Sequence, residues 1–334
     1  SGASREHGAW TRADIDRITV FDNRDALFPI HRSMRIVAVT GQRGSATTAV
    51  LVDEGESTSG RRRTSTSGSE PRLLSRAMLR RASGESEAIP SVRSAAELAV
   101  LERLIQAPRL GGGWRLRFGR ELNATEDRHL FRDGSAGDVD ALHVVDGKHM
   151  KPFTVRPPDT PWIAAADAKR VLPDAPWEHW RLAYRDVSSA TNTRSLICAL
   201  LPPGCVSTHT LFCLRTRAPL SVQVYLCGML NSLVADWFVR RFLASHVTTR
   251  LIAHVPVPLV IARDTRRRRV VRLATRLLRA SDDADAFIAL QAEAAGLYGL
   301  DRTAMTTVLG DFPRLPDQIR EGALRLIAAR PSTR

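Results

Sequence analysis

Apolar and polar positions alternate in short bursts over the first fifty residues. Arg17-Ile-Thr-Val-Phe21 has period two and predicts a strand. Met34–Thr40 and Ala46–Val52 alternate likewise on either side of Gly41-Gln-Arg-Gly-Ser45, which predicts a β-hairpin with a glycine-containing loop. A hairpin alone is marginal in water, so residues 1–52 need a sheet to join. From Asp53 to Glu70 the periodicity vanishes. Ser, Thr, Gly and Arg dominate around Arg61–Arg63, and residues 53–88 read as a flexible linker.

Order returns at residue 89. Ser94 is placed to cap a helix, with Glu97 at the capping-box position and Leu98, Leu101, Leu104 and Ile105 along one face. Gly111–Gly113 ends that pattern, and Trp114–Phe118 reads as a strand. A second strand, Ala141–Val145, feeds Asp146-Gly-Lys-His-Met-Lys151. The longest organised stretch runs from Trp180 to Pro258. It holds a polar, arginine-bearing lead-in, a buried strand near Leu196–Leu201, a Pro202-Pro203-Gly204 turn, a returning strand (Thr210–Leu214) and a covering helix through Leu230–Arg241. Residues 259–334 predict helices: Val270, Leu273, Ala274 and Leu277 share one face behind a run of four arginines, and Ser281-Asp-Asp283 caps the next helix.

Charge changes the picture more than composition does. Of 334 residues 43% are hydrophobic, enough for a sizeable core, but 49 Lys+Arg against 35 Asp+Glu leave a net charge of +14. Such a surplus suits a polyanion, because each phosphate neutralised releases counterions. Only Lys148, Lys151 and Lys169 are lysines, so the positive charge is almost all arginine. Arginine favours bidentate contacts with phosphate and guanine; it is also what a GC-rich genome would supply. No uninterrupted apolar run of about 18 residues is present, so no membrane partner is expected. Cys198, Cys205, Cys213 and Cys227 lack metal-ligand spacing and read as buried thiols of a reducing cytoplasm.

The candidate DNA contacts follow. Lys148 and Lys151 stand in a short segment after a strand, fit for phosphate, although Asp146-Gly147 is also an ordinary hairpin turn. Arg185, Asn192, Thr193 and Arg194 are types that donate to guanine, adenine or phosphate. For Arg185 the structural reading is the stronger, an internal partner of Asp186 that pins neighbouring loops, whereas Asn192 and Arg194 lean towards DNA. Asp159, Asp167 and Lys169 match a loose metal-dependent nuclease pattern, but Trp162–Leu172 reads as well as a helix where that pattern needs a strand.

Several segments together resemble the C-terminal target-recognition region of bacterial adenine-N6 DNA methyltransferases, of the type IIG restriction–modification and phage-exclusion kind. They are the Phe28-Pro-Ile-His-Arg-Ser33 segment with its hairpin, Ile89-Pro90, Asn123-Ala-Thr-Glu-Asp127, Gly147-Lys148, the Trp180–Pro258 stretch, and Leu297-Tyr-Gly-Leu300 with Phe312-Pro313. The resemblance covers most of residues 15–315. It implies a mixed α/β fold: an edge fragment of a Rossmann-like methyltransferase sheet (1–52), the linker, an α+β target-recognition domain (89–258) and C-terminal helices (259–334). It implies double-stranded DNA and an upstream catalytic domain as partners, the rest of the sheet lying outside this chain. S-adenosylmethionine would belong to that parent enzyme. This chain has no cofactor loop and no Asn/Asp-Pro-Pro-aromatic motif: Pro157-Pro158 and Pro202-Pro203 lack the flanking residues that would hold a flipped adenine. The chain alone is therefore expected to transfer no methyl group. A metal-dependent nuclease and a non-catalytic interaction module remain the alternatives.

Overall fold

The computed structural model describes residues 13–23, 28–30, 35–44, 46–54, 71–134, 140–189, 192–261 and 263–329. The Arg61–Arg63 run, Thr191 and much of the Phe28–Ser33 segment's surroundings lie outside them. The chain divides into two compact units at Glu102/Arg103.

Unit 1 is built on a four-stranded sheet in the order β2-β1-β3-β4, with β1 Ala13–Asp22, β2 Arg35–Arg43, β3 Ala49–Glu54 and β4 Arg72–Ser75. The expected hairpin is not formed. β2 and β3 are separated by β1, which pairs antiparallel with β2 and parallel with β3. The cause is Gly41. It is not a loop residue but a strand residue opposite Ile15, where the register slips between Ile15 and Arg17. A Cβ on Gly41 would sit 2.3 Å from the Asp14 carbonyl oxygen, so the glycine permits close backbone approach at a bulge.

The linker reading also ends early. β4 pairs with β3, and α1 (Arg76–Ser83) starts at once, capped by the Ser75 hydroxyl accepting from Met78 N–H. After α1, the buried Glu87 carboxylate takes Nε–H bonds from Arg76 (2.8 Å) and Arg80 (2.5 Å). Burial alone would raise its pKa, but the two guanidiniums outweigh it and hold the carboxyl below its usual range. α2 (Ala95–Leu104) is capped as its sequence predicts, with Glu97 N–H donating to the Ser94 hydroxyl. Its Glu97 carboxylate reaches back one residue further than expected, to the Arg93 N–H.

Unit 2 places two sheets and a ribbon beside a helical layer. The larger sheet runs β11-β10-β13-β5 (Cys198–Leu201, Arg181–Arg185, Leu211–Leu214, Phe118–Gly119), and its three neighbouring pairs are antiparallel. The smaller sheet runs β12-β6-β9 (Cys205–Ser207, Ala141–Val145, Trp162–Ala164), and β7 (Met150–Lys151) pairs with β8 (Thr154–Val155) as a ribbon. The strand expected over Trp114–Phe118 shrinks to β5, because Arg115 adopts a left-handed φ of 54° that no strand accommodates. The Trp162–Leu172 segment is both things the sequence allowed: β9, then α3 (Ala165–Val171).

The single covering helix is instead α4 (Leu220–Leu230) and α5 (Leu233–Arg240), bent by 64° at Asn231-Ser232. Asn231 turns its side chain onto β11, exchanging hydrogen bonds with Cys198 N–H (3.2 Å) and Cys198 C=O (2.8 Å), and Ser232 caps α5. Among the described residues no single helix is long and apolar enough to cross a membrane, and α4 with α5 passes only as this bent, buried pair. α6 (Thr249–His254), α7 (Thr265–Arg279), α8 (Ala284–Leu297), α9 (Arg302–Gly310) and α10 (Asp317–Ala328) complete the chain. Asp264, Asp283 and Asp301 cap α7, α8 and α9. The expected mixed α/β class, small sheets followed by C-terminal helices, is what the chain adopts.

Candidate nucleic-acid interface

One end of the larger sheet gathers most of the expected contacts. Arg185 is the last residue of β10; it faces Leu211 on β13, and its N–H donates to Ile197 C=O just before β11 (3.0 Å). Gly147 packs against it. A Cβ there would lie 3.0 Å from Arg185 Cγ and 3.3 Å from Thr210 C=O, so glycine lets this turn lie close against the sheet end without displacing either. The turn is a short 3-10 helix, Gly147–His149, rather than a hairpin turn. Asp146 and His149 form a reciprocal cap, the Thr208 hydroxyl donates to Asp146, and Gly147 N–H donates to the Thr210 hydroxyl (2.8 Å). Lys148 is thereby carried on a fixed base, its side chain 73% exposed and its Nζ 3.8 Å from Asp146. Lys151 is exposed on β7, and the same ribbon is tied to β11 by Phe153 N–H donating to Cys198 C=O (2.9 Å).

The internal Arg185–Asp186 pair is absent. Asp186 turns instead to His246 Nδ1, 2.9 Å away, while the strand-like contact of Val187 with His246 and the Val247 N–H bond to Asp186 C=O (2.8 Å) fix the segment. Arg185 has no acidic partner among the described residues, and its buried Nε–H has no acceptor there. Burial pushes its pKa down.

Asn192 and Thr193 sit in the connection from β10 to β11, Asn192 half-buried and Thr193 exposed. Asn192 N–H closes a turn onto Ser189 C=O (3.1 Å), as its residue type suggests. Arg194 departs from expectation. It is 9% exposed, and its Nε–H donates to Asp236 (2.8 Å) while a terminal NH₂ donates to Asn231 C=O (2.6 Å). Its guanidinium also lies over the Phe287 ring. Those bonds hold its guanidinium inside, where it anchors the connection. Arg240 anchors the same connection from α5, donating to Asn192 C=O (2.7 Å), Thr193 C=O (3.2 Å) and Asp236 (3.1 Å).

The other candidate chemistry resolves into structure. Asp167 receives Arg132 (3.0 Å) and Arg170 (2.9 Å), so its carboxylate is occupied by arginines, and no group of three His, Cys, Asp or Glu among the described residues is arranged for a metal. The four thiols are free and buried; burial pushes Cys205 up to about 11 and Cys213 and Cys227 up to about 12, which leaves them protonated. His209 accepts Ala124 N–H (3.3 Å), a satisfied loop histidine. Gly111–Gly113 offers no cofactor cradle: a Cβ at Gly111 would lie 2.8 Å from the Ala253 Cβ, and one at Gly113 2.6 Å from the Pro108 Cβ.

The Asp146–His149 cap makes the site pH-sensitive. His149 Nδ1 accepts Asp146 N–H (3.0 Å), which requires a neutral ring. Burial, then Lys148, lowers its pKa from the ordinary 6.5, against the opposing pull of Asp146. The neutral form is favoured in the folded state, so the cap is fully formed above about pH 6.5 and is lost as pH falls through the depressed folded value. The protection of the Asp146 N–H against hydrogen exchange, relative to its intrinsic rate, is expected to fall over that acid window, and not in His149→Asn, whose side-chain oxygen keeps an acceptor at every pH.

No family model matches this chain, and no curated protein matches it. Among solved structures it is similar to the type IIL restriction-modification enzyme MmeI in complex with DNA, at 11% identity and a TM-score of 0.42 over 94% of this chain and 45% of that one. It is also similar to the type IIG restriction endonuclease BpuSI, at 10% identity and a TM-score of 0.40 over 93% of this chain and 45% of that one. The chain thus spans less than half the length of either enzyme, and neither similarity assigns it an activity.

Proposed function

We propose that this chain is the DNA-recognition portion of a restriction–modification DNA methyltransferase, holding duplex DNA while a companion domain carries S-adenosylmethionine and methylates adenine at N6. The observation that carries the reading is Arg185. A half-buried guanidinium with an orphaned Nε–H and no carboxylate partner among the described residues is costly unless a bound acceptor completes it. It stands at the same sheet end as Lys148, Lys151, Asn192 and Thr193, and together they would meet phosphates and base edges. The sequence resemblance supports the same reading independently of this geometry. The companion domain fits unit 1, where Val37, Val39 and Leu73 are more than half exposed and would be covered by further sheet or helix.

The test is selection of bound sites from random duplex DNA at several salt concentrations. An enriched motif is expected, with affinity falling steeply as salt rises. Lys148→Ala with Lys151→Ala is expected to weaken all duplexes evenly and to make the salt slope shallower by up to about 1.8, roughly 0.9 per phosphate contact. Arg185→Ala, by contrast, is expected to relax the motif by a factor of about 10 or more at one position, the worth of a lost bidentate base contact. Binding without enrichment and without salt dependence would return the chain to the interaction-module alternative. Cleavage that needs a divalent cation and survives Arg185→Ala would favour the nuclease.

A further inference from the structure

We propose that a second phosphate-binding face lies at the opposite end of the same sheet, where Arg115, Arg117, Arg215 and Arg217 grip the backbone of duplex DNA flanking the recognised site. This rests on the DNA-recognition reading. It adds to it a surface that neither the sequence motifs nor the similarities point to.

The β5–β13 ladder sets the geometry. Gly119 pairs with Cys213 and Phe118 with Leu214, and the pairing continues one step further as Arg215 N–H donates to Arg117 C=O (2.8 Å). The Arg117 N–H donates to the Thr216 hydroxyl (3.0 Å). Two arginines are therefore brought directly across from each other, and Arg115 and Arg217 each stand two residues further on, away from the Arg185 end. All four are exposed, and none makes a side-chain hydrogen bond or ion pair with a described residue. Like charges facing each other across a ladder repel. The one acid in the neighbouring sequence, Glu121, is buried and spent on Arg181. Arginines elsewhere are treated differently: Arg269 pairs with Glu293, Arg276 with Asp283 and Arg240 with Asp236. The surplus charge of the chain is thus left unneutralised at this ladder, which is the footprint a polyanion requires.

Backbone strain points the same way. Arg115 has φ 54°, a conformation unfavourable for a side chain that is not glycine. It is imposed from both sides: Trp114 donates its indole N–H to Val257 C=O (2.8 Å), and Leu116, buried, donates to Leu110 C=O (2.8 Å). The strained residue is the exposed one between two fixed neighbours, the pattern expected where display of the side chain is being held in place.

The two ends are a short run of duplex apart. Leu211, which pairs with Arg185, and Arg215 are separated by four strand residues, about 13 Å. That corresponds to about four base pairs at 3.4 Å each. Arg185 and the lysines would address the site itself, and the arginine ladder the backbone next to it.

The experiment uses the full chain and the duplex selected by it, once trimmed to the motif with two flanking base pairs and once extended by ten. On the extended duplex, Arg117→Gln with Arg215→Gln is expected to make the slope of log affinity against log salt shallower by about 1.8. Arg115→Gly, which removes the guanidinium while relieving the left-handed strain, is expected to make it shallower by about 0.9. Neither variant should change the enriched motif, and neither should differ from the parent on the trimmed duplex. A parental slope in both variants on the extended duplex, with Lys148→Ala and Lys151→Ala still effective, overturns the ladder proposal alone. A parent chain that binds no duplex in a salt-dependent way overturns the DNA reading itself.

Discussion

Asp236→Ala is expected to lower the stability of unit 2 by about 3–5 kcal/mol, the cost of stranding buried charge. Asp236 is fully buried on α5 and serves three donors at once: Arg194 Nε, Arg240 Nε and the Ser195 N–H. Both arginines are nearly as buried as the acid, with side chains 9% and 5% exposed. Removing the carboxylate leaves two guanidiniums in a dry interior and orphans a backbone N–H. Carbonyls also accept from them: Asn231 for Arg194, and Asn192, Thr193 and Asp311 for Arg240. The faces of Phe287 and Phe312, under Arg194 and Arg240, offer only a fraction of a full counter-charge. Urea denaturation checks the magnitude, and a loss under about 1 kcal/mol would mean the partners other than Asp236 suffice. The consequence reaches function, because this cluster is what holds Asn192 and Thr193 in place. Asp236→Asn keeps one acceptor and is expected to fall between parent and alanine variant in both stability and DNA affinity.

The same cluster marks where the sequence stops being legible. Arg194 reads as a DNA contact because its local neighbours, Asn192 and Thr193, are polar; its real partner stands 42 residues later on a helix whose charges look merely like interruptions. Arg185 fails in the other direction, since the adjacent Asp186 invites an ion pair that the structure gives to His246. Sequence adjacency is a poor guide to charge pairing when a strand alternates faces and long side chains choose among neighbours from other elements. What alternation and caps do specify is recovered: β1, β6, β13, the Ser94 cap and the Asp283 cap all form where the pattern places them. Misreadings cluster at Gly and at helix breaks. Gly41 looks like a loop but sits at a bulge, and Asn231-Ser232 looks helical but ends one helix and caps the next. The Ser232 signal was present in the sequence, a serine three residues before Ala235 within an apolar run. The arginine ladder was present too, as Arg115-Leu-Arg117 and Arg215-Thr-Arg217, but only the pairing of the two segments makes it a surface.

Glu121→Ala is expected to cost a similar amount, about 3–5 kcal/mol, and to affect both ends of the sheet. Arg181, at the start of β10, is 5% exposed and binds Glu121 twice, Nε–H to Oε1 at 2.5 Å and NH₂ to Oε2 at 2.9 Å. Burial alone would lower the arginine's pKa, but the carboxylate's hydrogen bonds and charge raise it above its ordinary value. The pair also joins the two sheets: Arg181 donates to Cys205 C=O (2.6 Å), and Glu121 accepts the Ser207 N–H (2.7 Å), both on β12. Losing Glu121 therefore strands a guanidinium, orphans a strand N–H and loosens β12 from β10 in one step. Arg181→Met alone should be nearly as harmful, since it leaves the carboxylate buried, but combined with Glu121→Leu it should recover most of the loss. That recovery, read as coupling in a double-mutant cycle of urea denaturation, separates the pair's net contribution from the penalty of breaking it. Because Leu211 follows the β12 turn held by Ser207, the double variant also asks whether charge at this junction is needed to position the DNA-facing residues. If the repaired core binds duplex DNA as the parent does, the ion pair serves stability alone; if stability returns without affinity, its fixed geometry is what aligns the two ends of the sheet on one duplex.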